Sequence, residues 1–166
     1  MQDIVDECGI SRGGIYIYYA SVDEIFLDVI KRRNKERFSV INKAVQDAET
    51  FEDVLSVYLA RQKSRLLNFG GSLFRAYCEY VFSKPKVAVG AFRDVQLGHL
   101  RKTIASVLRL GVQQGKIKNG SVNKITDHFI IVIDGLSVMA LADAITEEII
   151  NEQFGILKNT IQGKLC

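Results

Sequence analysis

The stretch Gly9-Ile10-Ser11-Arg12-Gly13-Gly14-Ile15-Tyr16-Ile17-Tyr18-Tyr19-Ala20-Ser21-Val22-Asp23-Glu24 decides the fold, because it holds one helix stop and two helix starts in close succession. Gly9 suits the left-handed position that ends a helix, and residues 2–8 before it carry Ile4, Val5 and Cys8 at helical spacing. Ser11 is an N-cap for a second short helix over 12–19, in which Ile15 and Tyr19 fall four apart on one face. Ser21-Val22-Asp23-Glu24 fits a capping box, whose serine oxygen accepts from the N3 amide while the glutamate reaches back to the cap amide. A third, longer helix starts there.

Outward from this stretch the helical period continues. The third helix has Ile25, Phe26, Val29 and Ile30 on its apolar side, crosses Lys31-Arg32-Arg33-Asn34-Lys35-Glu36-Arg37, and resumes with Phe38, Ile41 and Val45 to about residue 47. Residues 51–67 repeat Val54, Leu55, Tyr58, Leu59 and Leu66 at threes and fours and close at Asn68-Phe69-Gly70-Gly71. An aromatic-rich segment, 73–82, stops before Pro85. A long helix over 86–114 fits Val89, Phe92, Val95, Leu100, Ile104, Leu108 and Val112 and ends at Gly115. After a turn-rich link at 117–121, helices over 122–142 and 146–164 complete the chain. Alternation at 15–19 is too short for a strand and has helix caps on both sides.

With 166 residues, 48% hydrophobic and 25% charged, the chain is too apolar for disorder and long enough to bury a core. One proline and 13 glycines argue against the many turns of a sandwich or barrel, so the expected fold class is all-α. The net charge of +3 is too small to indicate nucleic-acid binding by itself, since affinity comes from clustered cations. Cys8, Cys78 and Cys166 are odd in number and widely spaced, which predicts free thiols in a reducing compartment. No charged and then apolar leader opens the chain, and the longest apolar run, 129–142, is interrupted by Asp134 and falls short of the roughly 20 residues of a bilayer span. A cytoplasmic location without a membrane partner is expected.

Two short helices joined by a tight glycine-containing turn are the pattern of a helix-turn-helix, whose second helix enters the major groove. With Ile15 and Tyr19 turned inward, Arg12, Gly13, Tyr16 and Ile17 point away and Tyr18 lies at the edge. Gly13 and Gly14 each cost a helix about 1 kcal/mol relative to Ala, which suggests backbone that must approach something closely, such as a phosphate at the helix N-terminus. The competing reading is a glycine-rich turn whose aromatics pack on a neighbouring element.

Residues 1–26 resemble the DNA-binding signature of TetR-type transcriptional regulators. The remainder is similar to the family in helix order and in the Gln114-Gly115-Lys116-Ile117 turn after a long helix. The resemblance implies that Arg12, Gly13, Gly14, Tyr16, Ile17 and Tyr18 meet DNA, the tyrosines chiefly on phosphates and the earlier residues nearer base edges, with Ile15 and Tyr19 in the core. Two features depart from the family. Val22 stands where a phosphate-holding lysine is usual, and the family has another helix of roughly twenty residues before the position of Met1 that supports these two. Residues 1–24 also set Asp3, Asp6, Glu7, Asp23 and Glu24 against Arg12 alone, a poor balance for gripping a polyanion. The expected division is a partial helix-turn-helix domain over 1–24 and a helical ligand-binding and dimerisation domain over 25–166.

Catalytic motifs are absent: His99 and His128 are isolated, and no metal-protease helix, nucleophile elbow, phosphate loop or dinucleotide fingerprint occurs. Neither an enzyme, a metal site nor a cofactor is expected. The basic run 31–37 is either a nucleic-acid patch or a solvated helix surface, since consecutive helical residues spread around the axis. Phe74, Tyr77, Cys78 and Val81, with Phe92 and Gln96 on the next helix, either line an apolar pocket for a small molecule or pack in the core. Asp134, a carboxylate in an apolar run, is expected to be buried and to anchor an effector or a contact across a dimer seam. The helix over 122–142 is apolar nearly all round, Gly135, Ser137 and Ala140 would admit another backbone, and the last helix carries Ile150, Phe154, Leu157 and Ile161. These two helices are expected to form a four-helix seam between two copies.

The leading expectation is thus a homodimeric regulator, a repressor, released from a pseudo-palindromic double-stranded operator by a small apolar or amphipathic effector. The alternative is a dimeric small-molecule-binding helical protein without a working DNA head.

Overall fold

The computed structural model describes residues 1–47, 50–70 and 72–161. Cys166 and the end of the last expected helix lie outside the described residues. All regular structure among them is helical: α1 Gln2–Cys8, α2 Arg12–Tyr18, α3 Val22–Gln46, α4 Phe51–Leu67, α5 Leu73–Ser83, α6 Lys86–Gln113, a 3₁₀ turn Asn119–Ser121, α7 Val122–Leu141 and α8 Glu147–Ile161. None of these helices is long and apolar enough to cross a membrane.

The boundaries follow from local chemistry. Gly9 adopts φ 62° as α1 ends, and Gly115 adopts φ 72° just beyond α6, a conformation that costs glycine nothing. Ser11, Ser21, Thr50 and Ser72 cap α2 to α5, each side chain accepting from an amide three residues on. The box at Ser21 differs in detail from its expected form. Glu24 receives the amide of Ala20 at 2.7 Å, one residue before the cap, so it also fixes the link between α2 and α3.

α3 packs mainly along α6, and α6 in turn along α7, while α4 and α8 close the bundle. Its core is built from Val54, Leu66, Ile104, Leu108, Phe129, Ile133, Ile150 and Leu157. At one end the helices meet so tightly that a Cβ on Gly111 would stand 2.8 Å from Ile117 and 3.0 Å from Phe51. Lys63 joins α4 to α8 through Glu147 at 2.7 Å and Asn151 at 2.8 Å, and Arg101 pairs with Asp127 between α6 and α7.

Several expected faces are reassigned. Ile150, Phe154, Leu157 and Ile161 are buried inside the protomer, so the stripe of α8 belongs to its own core and is not available to a second copy. Ser137 and Ala140 are also buried, whereas Gly135 faces open space, so these three small residues do not share one approach surface. The outward side of α7 is Ile131, Asp134, Gly135 and Val138. Asp134 is therefore exposed in the protomer and not enclosed, although neighbouring groups still cover enough of it to push its carboxyl upward. Val29 and Val95, placed on apolar faces by spacing, are exposed as well.

Phe129→Ala, at a site 1% exposed, is expected to cost roughly 3–5 kcal/mol in urea unfolding. Phe82→Ala, on a side chain 73% exposed, is expected to stay within about 0.5 kcal/mol.

Candidate nucleic-acid interface and the aromatic cluster behind it

α2 is two-faced. Ile15 is buried and Tyr19 half-buried on its inner side, while Arg12, Gly13, Tyr16, Ile17 and Tyr18 are exposed and Gly14 is intermediate. Ile17 and Tyr18 are 78% and 79% exposed and Tyr16 is 45% exposed, whereas Tyr19 packs toward α3. The Arg12 guanidinium lies 5.9 Å from the Tyr16 ring centroid. The two glycines differ in kind. A Cβ on Gly14 would meet the capping Ser11 Oγ at 3.0 Å, so internal packing accounts for that residue. Nothing lies within 4 Å of a Cβ built on Gly13, whose bare backbone is therefore open to an outside group.

The inner side of α2 is tied to α3. Tyr19 Oη donates to Asp28 Oδ2 at 2.7 Å, and Arg32 Nε donates to the same oxygen at 2.9 Å. The Tyr19 bond holds the Asp28 carboxyl below the usual carboxylate range, helped by Arg32 against partial burial. The same bond, then burial, pushes the Tyr19 phenol up. Between α1, α2 and the start of α3 an open, mainly apolar groove of about 550 Å³ is lined by Ile4, Cys8, Ile10, Ile15, Tyr18 and Ile25.

The first turn of α3 is also held from behind. Lys84 Nζ donates to Asp23 Oδ2 at 2.8 Å, and the Tyr80 hydroxyl reaches the same oxygen at 3.5 Å. Phe26 stacks on Tyr80 with centroids 5.1 Å apart. Lys84 thus offsets one of the acidic charges of the head. The basic run on α3 is a solvated surface: Lys31, Arg32, Arg33, Lys35 and Arg37 are exposed, Arg32 pairs with Asp28 and Arg33 with Glu36, and Asn34 turns inward to Gln96.

Behind the head, rings form a chain: Phe69 to Phe74 at 5.7 Å, Phe74 to Tyr77 at 5.6 Å and Tyr77 to Phe92 at 6.0 Å. Phe74, Tyr77, Cys78, Val81 and Phe92 are all half-buried, and Gln96 is buried. Spacing did not reveal Arg65 or the position of Tyr58 beside it. The Arg65 guanidinium is 4.3 Å from the Phe74 ring centroid and donates to Gln62 at 3.0 Å and to Ser137 Oγ at 3.2 Å. Burial lowers its pKa to about 10, so it stays cationic at neutral pH. The Tyr58 hydroxyl and Gln96 Nε2 are buried without hydrogen-bond partners. Asp134 is electrostatically felt by this cluster but projects from the outer face of α7. No group of three or more His, Cys, Asp or Glu among the described residues is arranged to hold a metal ion.

Comparison with curated proteins finds the uncharacterized HTH-type transcriptional regulator YfiR of Bacillus subtilis (strain 168), 30% identical over 81 residues. The match takes in 49% of this chain and 39% of the relative, so the chain spans about two fifths of that protein's length. No family model matches the chain, and no solved structure matches it.

Asp28→Asn is expected to lower the melting temperature at neutral pH. Because the folded carboxyl titrates below its unfolded value, its contribution is complete above about pH 4 and is lost as pH falls through the folded pKa. The gap between parent and variant should therefore close on acidification, as thermal melts across that range would record.

Proposed function

We infer that the chain carries the DNA-reading and effector-sensing parts of a TetR-type transcriptional repressor, with a helix-turn-helix head over residues 1–24 and a sensing and dimerisation domain over 25–166. The observation that carries this reading is the outer face of α2, where Tyr16, Ile17 and Tyr18 are exposed while Ile15 and Tyr19 fix the opposite face. Exposing two aromatics and an isoleucine on a seven-residue helix is unfavourable unless a partner covers them. The cationic Arg12 and the open backbone at Gly13 suit a phosphate-lined groove. In this reading Arg12, Gly13 and Ile17 lie nearest the base edges, Tyr16 and Tyr18 hold phosphates, and Gly14 serves the cap. Similarity to an HTH-type regulator supports the same assignment.

Two copies would pair through the outer sides of α7 and α8, where Ile131, Val138 and Ile156 are exposed. A two-fold dimer sets its reading helices in successive major grooves of a pseudo-palindrome, so a small pivot of α3 spoils their spacing. An apolar or amphipathic effector among the half-buried rings of α5 and α6 need only prefer the pivoted state.

The exposed acids Asp3, Asp6, Glu7 and Glu24 favour a second reading, a dimeric ligand-binding protein without a working head. Titration with the duplex flanking the gene, across salt and against a scrambled duplex, separates the two. The regulator binds its own duplex specifically and with salt sensitivity, whereas the ligand-binding protein binds neither.

Tyr18→Phe is expected to weaken binding to specific and scrambled duplexes alike by roughly three- to tenfold, the loss of one phosphate hydrogen bond. Arg12→Ala should instead reduce the preference between them, by roughly tenfold or more if it reads a base. Ile131→Arg should shift the chain from dimer to monomer in analytical ultracentrifugation, with its helicity retained.

A further inference from the structure

Arg65 is a cation set among apolar groups with no acid in ion-pair contact. None of the ion pairs among the described residues includes it. Its two hydrogen bonds go to neutral oxygens, the Gln62 amide and the Ser137 hydroxyl, and that hydroxyl is itself committed to the Ile133 carbonyl at 2.6 Å. A guanidinium has five N–H donors in a fixed fork, so most of its capacity to hold an oxyanion is unspent. Arg37 adds to the positive field at this point, and Asp134 opposes it from the exposed side of α7.

Two further groups in this part of the bundle lack partners. The Tyr58 hydroxyl is buried and unbonded within the field of Arg65. Gln96 uses its oxygen on Asn34 and leaves its Nε2 donor buried and unmet, one helical turn beyond Phe92. Buried polar groups without partners are costly and rare in native interiors, and both of these are able to donate.

The apolar half of the cluster is incompletely covered too. α5 contains Phe74, Tyr77 and Val81, yet none of its residues is buried. Its rings run from Phe74, under the Arg65 guanidinium, through Tyr77 to Phe92. A cation at one end of a half-open aromatic row matches a molecule with an anionic head and an apolar body. A cationic ligand would meet Arg65 unfavourably, and a neutral one would leave its charge unanswered.

We propose that Arg65 anchors the carboxylate of an amphipathic organic acid whose apolar body lies along Phe74, Tyr77 and Phe92, and that such an acid is the effector. The effector role rests on the regulatory reading above; the binding does not.

The test uses the full chain with octanoate and 2-naphthoate as probes and octanol and octylammonium as controls, followed by calorimetry and thermal melts. Both carboxylates should bind at least about tenfold more tightly than either control, and Arg65→Gln should abolish that preference while leaving octanol binding unchanged. Octylammonium binding as tightly as octanoate, a carboxylate preference that survives in Arg65→Gln, or no binding of either carboxylate would overturn the assignment. If Arg65→Gln does not fold by circular dichroism, Arg65→Lys, which keeps the charge, and the ligand series on the parent decide the matter. Duplex binding measured in parallel separates the two claims. Carboxylate binding without duplex binding keeps the site and removes the regulator, and duplex binding without carboxylate preference removes the site alone.

Discussion

Everything in this molecule is referred to one rod, the 25-residue helix α3. At about 1.5 Å per residue it runs from the head to the centre of the bundle without a proline. Its first turn is gripped from two directions, by Glu24 on the Ala20 amide and by Lys84 on Asp23. A turn further on, Asp28 takes the Tyr19 hydroxyl, so the orientation of α2 is set by a side chain of the rod itself. Midway, Asn34 meets Gln96 of α6, and near the far end Ile41 enters the core. The head has little independent support, and its placement is that of α3.

The attachments of α3 lead to the same neighbourhood as the aromatic row. Tyr80 and Lys84 close α5, whose earlier turns carry Phe74 and Tyr77, and Gln96 follows Phe92 on α6. A group seated among those rings would therefore touch the two helices that hold the rod. Two elements with a shared contact and two arrangements are what coupling between distant sites physically requires.

Much of this was legible in the sequence because cap and stop signals are local. Ser11, Ser21, Gly9 and Gly115 act within three or four residues, and the helices they bound lie where the spacing predicts. What the period of a helix conveys is that one face is apolar; it does not say what covers that face. Hence the stripe of α8, expected against a second copy, lies against α4 and α7 of its own chain, and Ser137 and Ala140 turn inward while Gly135 does not. Asp134 misled for the opposite reason: an apolar run suggested enclosure on every side, yet the helix keeps one side free. Arg65 escaped notice, as did its closeness to Tyr58 and Ser137, because a charged residue breaks the apolar period of α4 and Ser137 comes from another helix. Of the candidate DNA-facing residues, spacing alone distinguished the two sides of α2, but only packing distinguished Gly13 from Gly14.

The absence of any buried residue in α5 has a consequence for how the protein breathes. α4, α7 and α8 hold one another through side chains with almost no exposure, contacts of the kind that resist local opening. α5 is fastened instead by half-buried side chains, Phe74 and Cys78 against the core and Tyr77 against Phe92. Elements with few fully buried contacts belong to the low-stability end of a structure. Space opened beneath it would leave the aliphatic core between α4, α7 and α8 intact.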